Sequence, residues 1–425
     1  MKEIIIDKVN EKLYYEKLEN GLEVYLLPNT KVKSVYATIT AKYGSANLNF
    51  VPINETKMIK TPLGVAHFLE HKLFEQKNGI DPFKFYSKSG TSCNAHTSFF
   101  NTTYEFFGVE NFKENLKFLI EFVGELYLTD KLVEKEKGII EQELKMYLDD
   151  PGWIIYDNCR KSSFSVNPVK DPIGGTVESI KKINKDILET CYNTFYHPSN
   201  MFIVITGNFS HTDAINIIKD TYSKKPTVQV PNIKTKVYKE PDEIAVSYKE
   251  ENKNVDNNKF SYNIKINHTK YKENDLKTKL HYTYILFDLL FSSTSAFFEK
   301  ASASGLLSYP LGIDNIIVNN HFLISLTGES DNPNDLFKLI NKELENIKIN
   351  KDDFEETKRK LISREIINYD KIFSLNSHIV NHIIKYGNFE ANNIEFMNLL
   401  NYNDLYRISK EIDFRNRSTY LIRPN

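Results

Sequence analysis

The chain is poor in the residues that cross-link small extracellular domains. Its 425 residues include three cysteines, Cys93, Cys159 and Cys191, which are odd in number and widely spaced. Such a set supplies neither a disulfide framework nor a pair of closely spaced metal-binding thiols. We therefore expect three reduced thiols and a cytoplasmic protein.

Long hydrophobic runs and an excess of one charge are also missing. The N-terminal sequence MKEIIIDK has too few apolar residues for a secretory signal, and the apolar stretch at 284–291 is interrupted by Asp288. Lys plus Arg number 55 and Asp plus Glu 56, so the formal net charge is -1. This balance lacks the basic excess of a nucleic-acid or membrane-surface binder, and we expect neither partner.

The length and the distribution of residues predict two domains. A chain of 425 residues exceeds the usual size of one hydrophobic core. Near its midpoint, residues 223–245 are rich in proline and lysine and show little periodicity, which is typical of a linker. We therefore predict an N-terminal domain at 1–222, a linker at 223–245 and a C-terminal domain at 246–425.

Strand and helix patterns alternate along the chain. Asn20-Gly21 predicts a hairpin turn, helical patterns cover 61–76, 111–148 and 176–196, and a strand pattern covers 201–208. The second half repeats this order weakly, although two unrelated domains would also share part of it. The predicted fold is α+β, with two homologous α/β sandwich domains, each an antiparallel-rich sheet packed with helices.

The sequence HFLEH at residues 67–71 carries the first candidate chemistry. His67 and His71 are one helical turn apart on one face, and Glu70 projects from the same face. Two imidazoles and a carboxylate can hold Zn²⁺ and deprotonate a water molecule. A buried histidine is more often a hydrogen-bonded core residue. However, three ionisable groups on an apolar helix are costly unless a metal or partners satisfy them. Thr61 and Pro62 are predicted to begin this helix.

A second helical pattern, LVEKEKGIIEQELKMY at 132–147, places two carboxylates on an apolar face. Glu136 and Glu143, seven residues apart, lie in the middle of that face, whereas Glu134 and Glu141 point away from it. Carboxylates on a packing face need a nearby cation. That cation is either a metal ion or a buried Lys or Arg, and the pattern alone leaves both open.

HxxEH followed by ExxxxxxE on a later helix resembles the pitrilysin, or insulinase-like, family of inverted-motif zinc metallopeptidases. The resemblance implies that His67, His71 and Glu143 bind one Zn²⁺ per chain. It implies that Glu70 is the general base and that Glu136 supports the ligands close to the metal. The region of the second half that corresponds to HFLEH is YTYILFDLLF, which has no such motif. The resemblance therefore implies one metal site per chain.

The resemblance extends over the whole chain. The segment GTSCNAHTS is similar to the family's substrate-binding edge strand, which implies that Asn94 and Ala95 contact a peptide. An ordinary strand is the alternative reading of these two residues. Tyr309 is a candidate for gripping the substrate carbonyl from the second half. AHFLEHKLFE and FYHPSNM are similar to the short bacterial branch, which implies a homodimer or a heterodimer with a metal-less paralogue.

The function implied by these residues is that of a zinc-dependent endopeptidase acting on small or unfolded peptides. The alternative is a non-catalytic scaffold or assembly subunit on the same fold. Family members of that kind usually lose HxxEH or the distal glutamate, and this sequence retains both.

Overall fold

The computed structural model describes residues 1–224, 232–272 and 275–425; part of the predicted linker, 225–231, lies outside these ranges. The strands are β1 Lys2–Ile6, β2 Glu11–Lys17, β3 Glu23–Pro28, β4 Val35–Ala41, β5 Asn49–Val51, β6 Ile59–Lys60, β7 Ser92–Thr97, β8 Thr102–Gly108, β9 Met201–Gly207, β10 Lys234–Thr235, β11 Tyr248–Lys253, β12 Lys259–Asn267, β13 Gly312–Val318, β14 His321–Glu329 and β15 Arg417–Pro424. The helices are α1 Val65–Leu73, α2 Pro82–Ser87, α3 Phe112–Val123, α4 Asp130–Asp149, α5 Pro151–Ser163, α6 Val177–Ile180, α7 Lys185–Phe195, α8 His211–Ser223, α9 Leu276–Phe291, α10 Ala296–Ala303, α11 Pro333–Glu345, α12 Lys351–Asn368, α13 Ile372–Tyr386, α14 Asn393–Leu399 and α15 Tyr402–Glu411.

These elements confirm the predicted α+β class, with helices packed on antiparallel-rich sheets. The hairpin at Asn20-Gly21 is also present, since β2 and β3 pair antiparallel on either side of it. The long helix predicted at 111–148 is two helices. The α3 helix ends at Val123, and the Thr129 hydroxyl then accepts from the Leu132 amide at 3.2 Å and begins α4.

The chain divides into two compact units that are discontinuous in sequence. Unit 1 comprises 1–144, 172–237 and 365–392; unit 2 comprises 145–171, 238–364 and 393–425. These units interleave segments that the contiguous division into 1–222, 223–245 and 246–425 keeps apart. In unit 1 the cause is α13, which packs on β4 and β9 although it lies far from them in sequence. The homology of two contiguous domains stays a prediction.

Unit 1 contains a seven-stranded sheet in the order β1-β2-β3-β9-β4-β8-β7, and a small sheet in the order β10-β5-β6. All seven residues of the interior strand β4 are buried, because helices α3 and α13 pack on it. On one face, the Thr38 hydroxyl donates to Asn376 of α13 at 2.9 Å. On the other face, Tyr104 of the neighbouring strand packs against Phe74 and Phe122, next to α1 and in α3.

Unit 2 contains a five-stranded sheet in the order β11-β15-β12-β14-β13. The α5 helix packs on it through Ile154 and Ile155, which contact Tyr420 and Ile422 of β15. No helix of the described residues is long and apolar enough to cross a membrane.

The start of α1 differs from the prediction. Thr61 does not cap the helix; its hydroxyl donates to the Leu48 carbonyl at 3.2 Å, and Pro62 precedes the helix. The helix begins at Val65 after Gly64, whose φ of 85° is in the left-handed region. A Cβ at Gly64 would lie 2.3 Å from the Gly174 carbonyl oxygen. Only glycine meets both requirements, so this close approach fixes where the helix begins.

Candidate metal centre

Two helices of unit 1 supply the predicted site. The α1 helix is buried over nearly its whole length, including His67 and Glu70. The α4 helix buries one face only, through Val133, Glu136, Ile140 and Leu144. The sequence pattern is correct in placing Glu136 on this face. Ile139 fits the apolar pattern of this helix, but it is 47% exposed and lies beside a surface cavity.

Three predicted ligands come together at this helix pair. One donor atom from each of His67, His71 and Glu143 lies within 4.8 Å of the other two. Nε2 of His67 is 3.7 Å from Oε1 of Glu143, and Nε2 of His71 is 3.5 Å from Oε2 of the same carboxylate. Both imidazoles therefore present Nε2 to one carboxylate.

This donor set fits zinc. A tetrahedral zinc ion with bonds of about 2.0–2.2 Å separates its donors by about 3.4 Å, close to the two nitrogen–oxygen distances here. Nδ1 of His67 is buried and has no hydrogen-bond partner among the described residues. Two imidazole nitrogens and one carboxylate oxygen are also the donors of catalytic zinc sites.

The protonation state of His67 agrees with that fit. Burial, followed by the neighbouring His71 charge, lowers the pKa of His67 to about 4. His67 is therefore neutral at pH 7 and has a lone pair to offer. Burial alone would lower the pKa of His71, but the hydrogen bond to Glu136 and the nearby carboxylates raise it on balance.

Glu136 contacts Nδ1 of His71, the ring nitrogen that does not face Glu143. Its Oε1 is 3.1 Å from Nδ1 of His71, and the other oxygen, Oε2, accepts from the ammonium of Lys72 at 3.3 Å. Although burial raises the pKa of Glu136, these hydrogen bonds and charges lower it on balance. The ionised carboxylate accepts a hydrogen bond from Nδ1–H, and this tautomer leaves Nε2 unprotonated. Glu136 thus pairs with a buried lysine, one of the two alternatives that the sequence left open.

Glu70 lies in the same cluster and is held by a strand. Its Oε2 accepts from the Thr97 hydroxyl at 2.6 Å, and Thr97 is the last residue of β7. Burial raises the pKa of Glu70, and the Thr97 hydrogen bond opposes this rise. A carboxylate with a raised pKa is a stronger base, which suits a group that accepts a proton from water.

A cavity of about 540 Å³ opens beside these groups. Its walls include Glu70, His71 and Glu136, together with Asn94 and Ala95 of β7. Asn94 is exposed and Ala95 is half-buried. The two predicted substrate-binding residues of the first half are therefore next to the cluster.

Tyr309 belongs to unit 2 and is 78% exposed. Its predicted role at the substrate carbonyl stays a prediction.

Sequence reasoning missed two residues of this cluster. Lys72 is fully buried, and Thr97 holds Glu70. A lysine flanked by His71 and the apolar Leu73 near the end of this mostly buried helix could have indicated the first. Thr97 had no such signal, because its contact depends on how β7 lies beside α1.

The chain is similar to known proteins over most of its length. Residues 53–177 match the insulinase (peptidase family M16) family, and residues 182–361 match the peptidase M16 inactive domain. Over 337 residues the chain is 40% identical to the uncharacterized zinc protease YmfH of Bacillus subtilis, covering 79% of this chain and 78% of that relative. The chain belongs to peptidase family M16.

Solved structures agree with this assignment. A putative M16-like peptidase from Alicyclobacillus acidocaldarius has a TM-score of 0.91 to this M16 chain at 29% identity, covering 98% of this chain and 99% of that one. A protease from Helicobacter pylori has a TM-score of 0.81 at 18% identity, a likeness of fold alone, and covers 97% of this chain and all of that one. Relatives of this M16 protein thus bear the name of zinc proteases, which supports a protease activity.

Proposed function

We propose that this M16 protein is a zinc-dependent endopeptidase that hydrolyses small or unfolded peptides. The observation that carries the proposal is the cluster of His67, His71 and Glu143 with Glu70 beside it, because Glu70 and His71 also line a cavity. We infer that the first three residues hold one Zn²⁺ per chain. When bound there, zinc supplies a Lewis acid that polarises a carbonyl group and lowers the pKa of water.

In the proposed reaction Glu70 is the general base. It accepts a proton from the attacking water and passes it to the leaving amine as the peptide bond breaks. Its burial favours this role, because burial raises the pKa of the carboxyl group. The Thr97 hydrogen bond occupies Oε2 and leaves Oε1 to meet the water.

The substrate is proposed to bind along β7. Among the described residues this strand pairs with β8 alone, so its other edge can accept an extended peptide as an added strand. Asn94 and Ala95 lie midway along β7 and line the same cavity as Glu70. A peptide paired there would pass close to the base and the proposed metal ligands.

A non-catalytic scaffold on the same fold is the second candidate. It would not need a buried base, and it would not need three donor atoms within 4.8 Å of one another. The buried base and the three clustered donors are both present in unit 1, which favours the enzyme.

Removal of zinc tests the proposed function. The purified chain is expected to contain about one zinc ion and to cleave a quenched peptide library. Treatment with ortho-phenanthroline should reduce cleavage to background, and added zinc should restore it. The meta isomer, which does not chelate, is the control and should have no effect. Undiminished cleavage by zinc-free protein would contradict the proposal.

A substitution at Thr97 tests how Glu70 is oriented. Thr97→Val keeps the shape of the side chain and removes the donor at 2.6 Å. A hydrogen bond to a charged group contributes about 1.5–3 kcal/mol, so we expect kcat to fall about 10- to 100-fold with KM nearly unchanged. Thr97→Ser retains the hydroxyl and should stay near the parent rate. Equal rates for the valine variant and the parent would refute this role.

A further inference from the structure

Lys72 is the most unusual residue of α1. Its side chain is 0% exposed, although lysine is among the residues least often fully buried. The ammonium donates to Oε2 of Glu136 at 3.3 Å and to the Leu132 carbonyl at 3.4 Å. Oε1 of Glu75 lies 3.6 Å away. All three acceptors satisfy a charge that would otherwise be costly to bury.

The contact with Glu136 restricts that carboxylate. Lys72 occupies Oε2 while His71 occupies Oε1, so rotation of the carboxylate breaks at least one of the two bonds. The carboxylate and the ammonium come from two different helices, α4 and α1. The orientation of Glu136 is thus fixed by a second helix and not by its own backbone alone.

We propose that Lys72 is a positioning residue that acts through Glu136 to fix the ring of His71 for metal binding. The inference rests on the proposed function, because it takes His71 as a zinc ligand. Carboxylates behind a metal-bound histidine orient its ring, and their loss weakens metal affinity about 10- to 100-fold. Lys72 in turn orients the carboxylate of Glu136, which orients the ring of His71.

The positive charge of Lys72 by itself should change zinc affinity in the direction opposite to the proposed positioning role. One measurement of zinc affinity can therefore overturn the proposal. A positive charge near a bound cation disfavours that cation by Coulomb repulsion. If Lys72 acted only through its charge, its removal would strengthen zinc binding. If it acts by holding Glu136, its removal weakens zinc binding. The sign of the change separates the two roles.

The experiment measures the zinc dissociation constant by competition with a chromogenic chelator at fixed pH and salt. Lys72→Met keeps an unbranched, helix-favouring side chain, and it should bind zinc about 10-fold more weakly than the parent. Lys137→Met is the matched control. Lys137 lies on α4, pairs with Glu134 at 2.7 Å, and should leave the constant unchanged. Affinity equal to or tighter than that of the parent in Lys72→Met overturns the proposal.

A double-mutant cycle tests the route through Glu136. Glu136→Gln alone should weaken zinc binding about 10- to 100-fold, and adding Lys72→Met should weaken it by no more than about twofold further. An undiminished effect of Lys72→Met in this background overturns the route. The double variant has no buried lone carboxylate. If Lys72→Met alone fails to fold, a loss of more than about twofold between Glu136→Gln and the double variant still overturns the route. A parent protein that binds no zinc would instead refute the proposed function, which is a separate result.

Discussion

Replacement of Glu70 by glutamine is expected to lower kcat about 10²- to 10⁴-fold, the range typical of a lost general acid–base group. The amide would keep the size of the side chain and could still contact Thr97, but it could not accept the proton of the attacking water. Glu70 is not one of the three clustered donor residues. The zinc content of the variant should therefore equal that of the parent.

To test Glu70→Gln, zinc content and kcat are measured on the same preparation. Zinc is determined by atomic emission on the folded variant, and kcat is determined on a quenched peptide. Glu134→Gln is the matched control, because Glu134 is an exposed glutamate of α4 whose carboxylate pairs with Lys137. We expect parental values for it. A Glu70→Gln variant that cleaves as fast as the parent would refute the assigned base.

Replacement of Glu143 by glutamine is expected to remove zinc itself. Zinc sites bind with apparent free energies of about 10–16 kcal/mol, shared over three or four donors. Loss of one charged donor should therefore weaken binding about 10²- to 10⁴-fold. Activity at limiting zinc should be lost in parallel and should return in part when zinc is added in excess.

A ranking of three glutamates on one helix makes this test specific. Glu143→Gln should be the most severe, Glu136→Gln intermediate at about 10- to 100-fold, and Glu134→Gln without effect. The order follows from the contacts: Glu143 faces both Nε2 atoms, Glu136 faces Nδ1 of His71, and Glu134 faces solvent. Zinc affinity that is weaker in Glu136→Gln than in Glu143→Gln would reverse the assigned roles.

Much of the cluster could be predicted because it depends on local periodicity. The spacing of His67, Glu70 and His71 places them on one helical face whatever the tertiary fold. The same holds for Glu136 and Glu143, which are seven residues apart. Helical periodicity thus predicted one functional face on each of two helices. The resemblance to a known family implied that these two faces lie together at one metal site.

Features that depend on packing between distant segments could not be predicted in this way. The start of α1 at Val65 follows from the close approach of Gly64 to Gly174, which are far apart in sequence. Likewise, α13 joins unit 1 because it packs on β4 and β9, so a division by linker composition cannot find it. Ile139 fits the apolar pattern of α4, but a cavity lies where a packing partner was expected.

Within the described ranges β7 pairs on one side only, and its sequence reduces the risk of self-association at the other edge. An unpaired strand edge is a template for pairing with another copy of the chain, and proteins usually protect such edges by covering them. The proposed binding of peptides requires that this edge stay uncovered. β7 is only six residues long, and its exposed side chains, Ser92, Asn94 and His96, are all polar. Shortness and polarity thus oppose self-association without the cover that the proposed peptide binding would not allow.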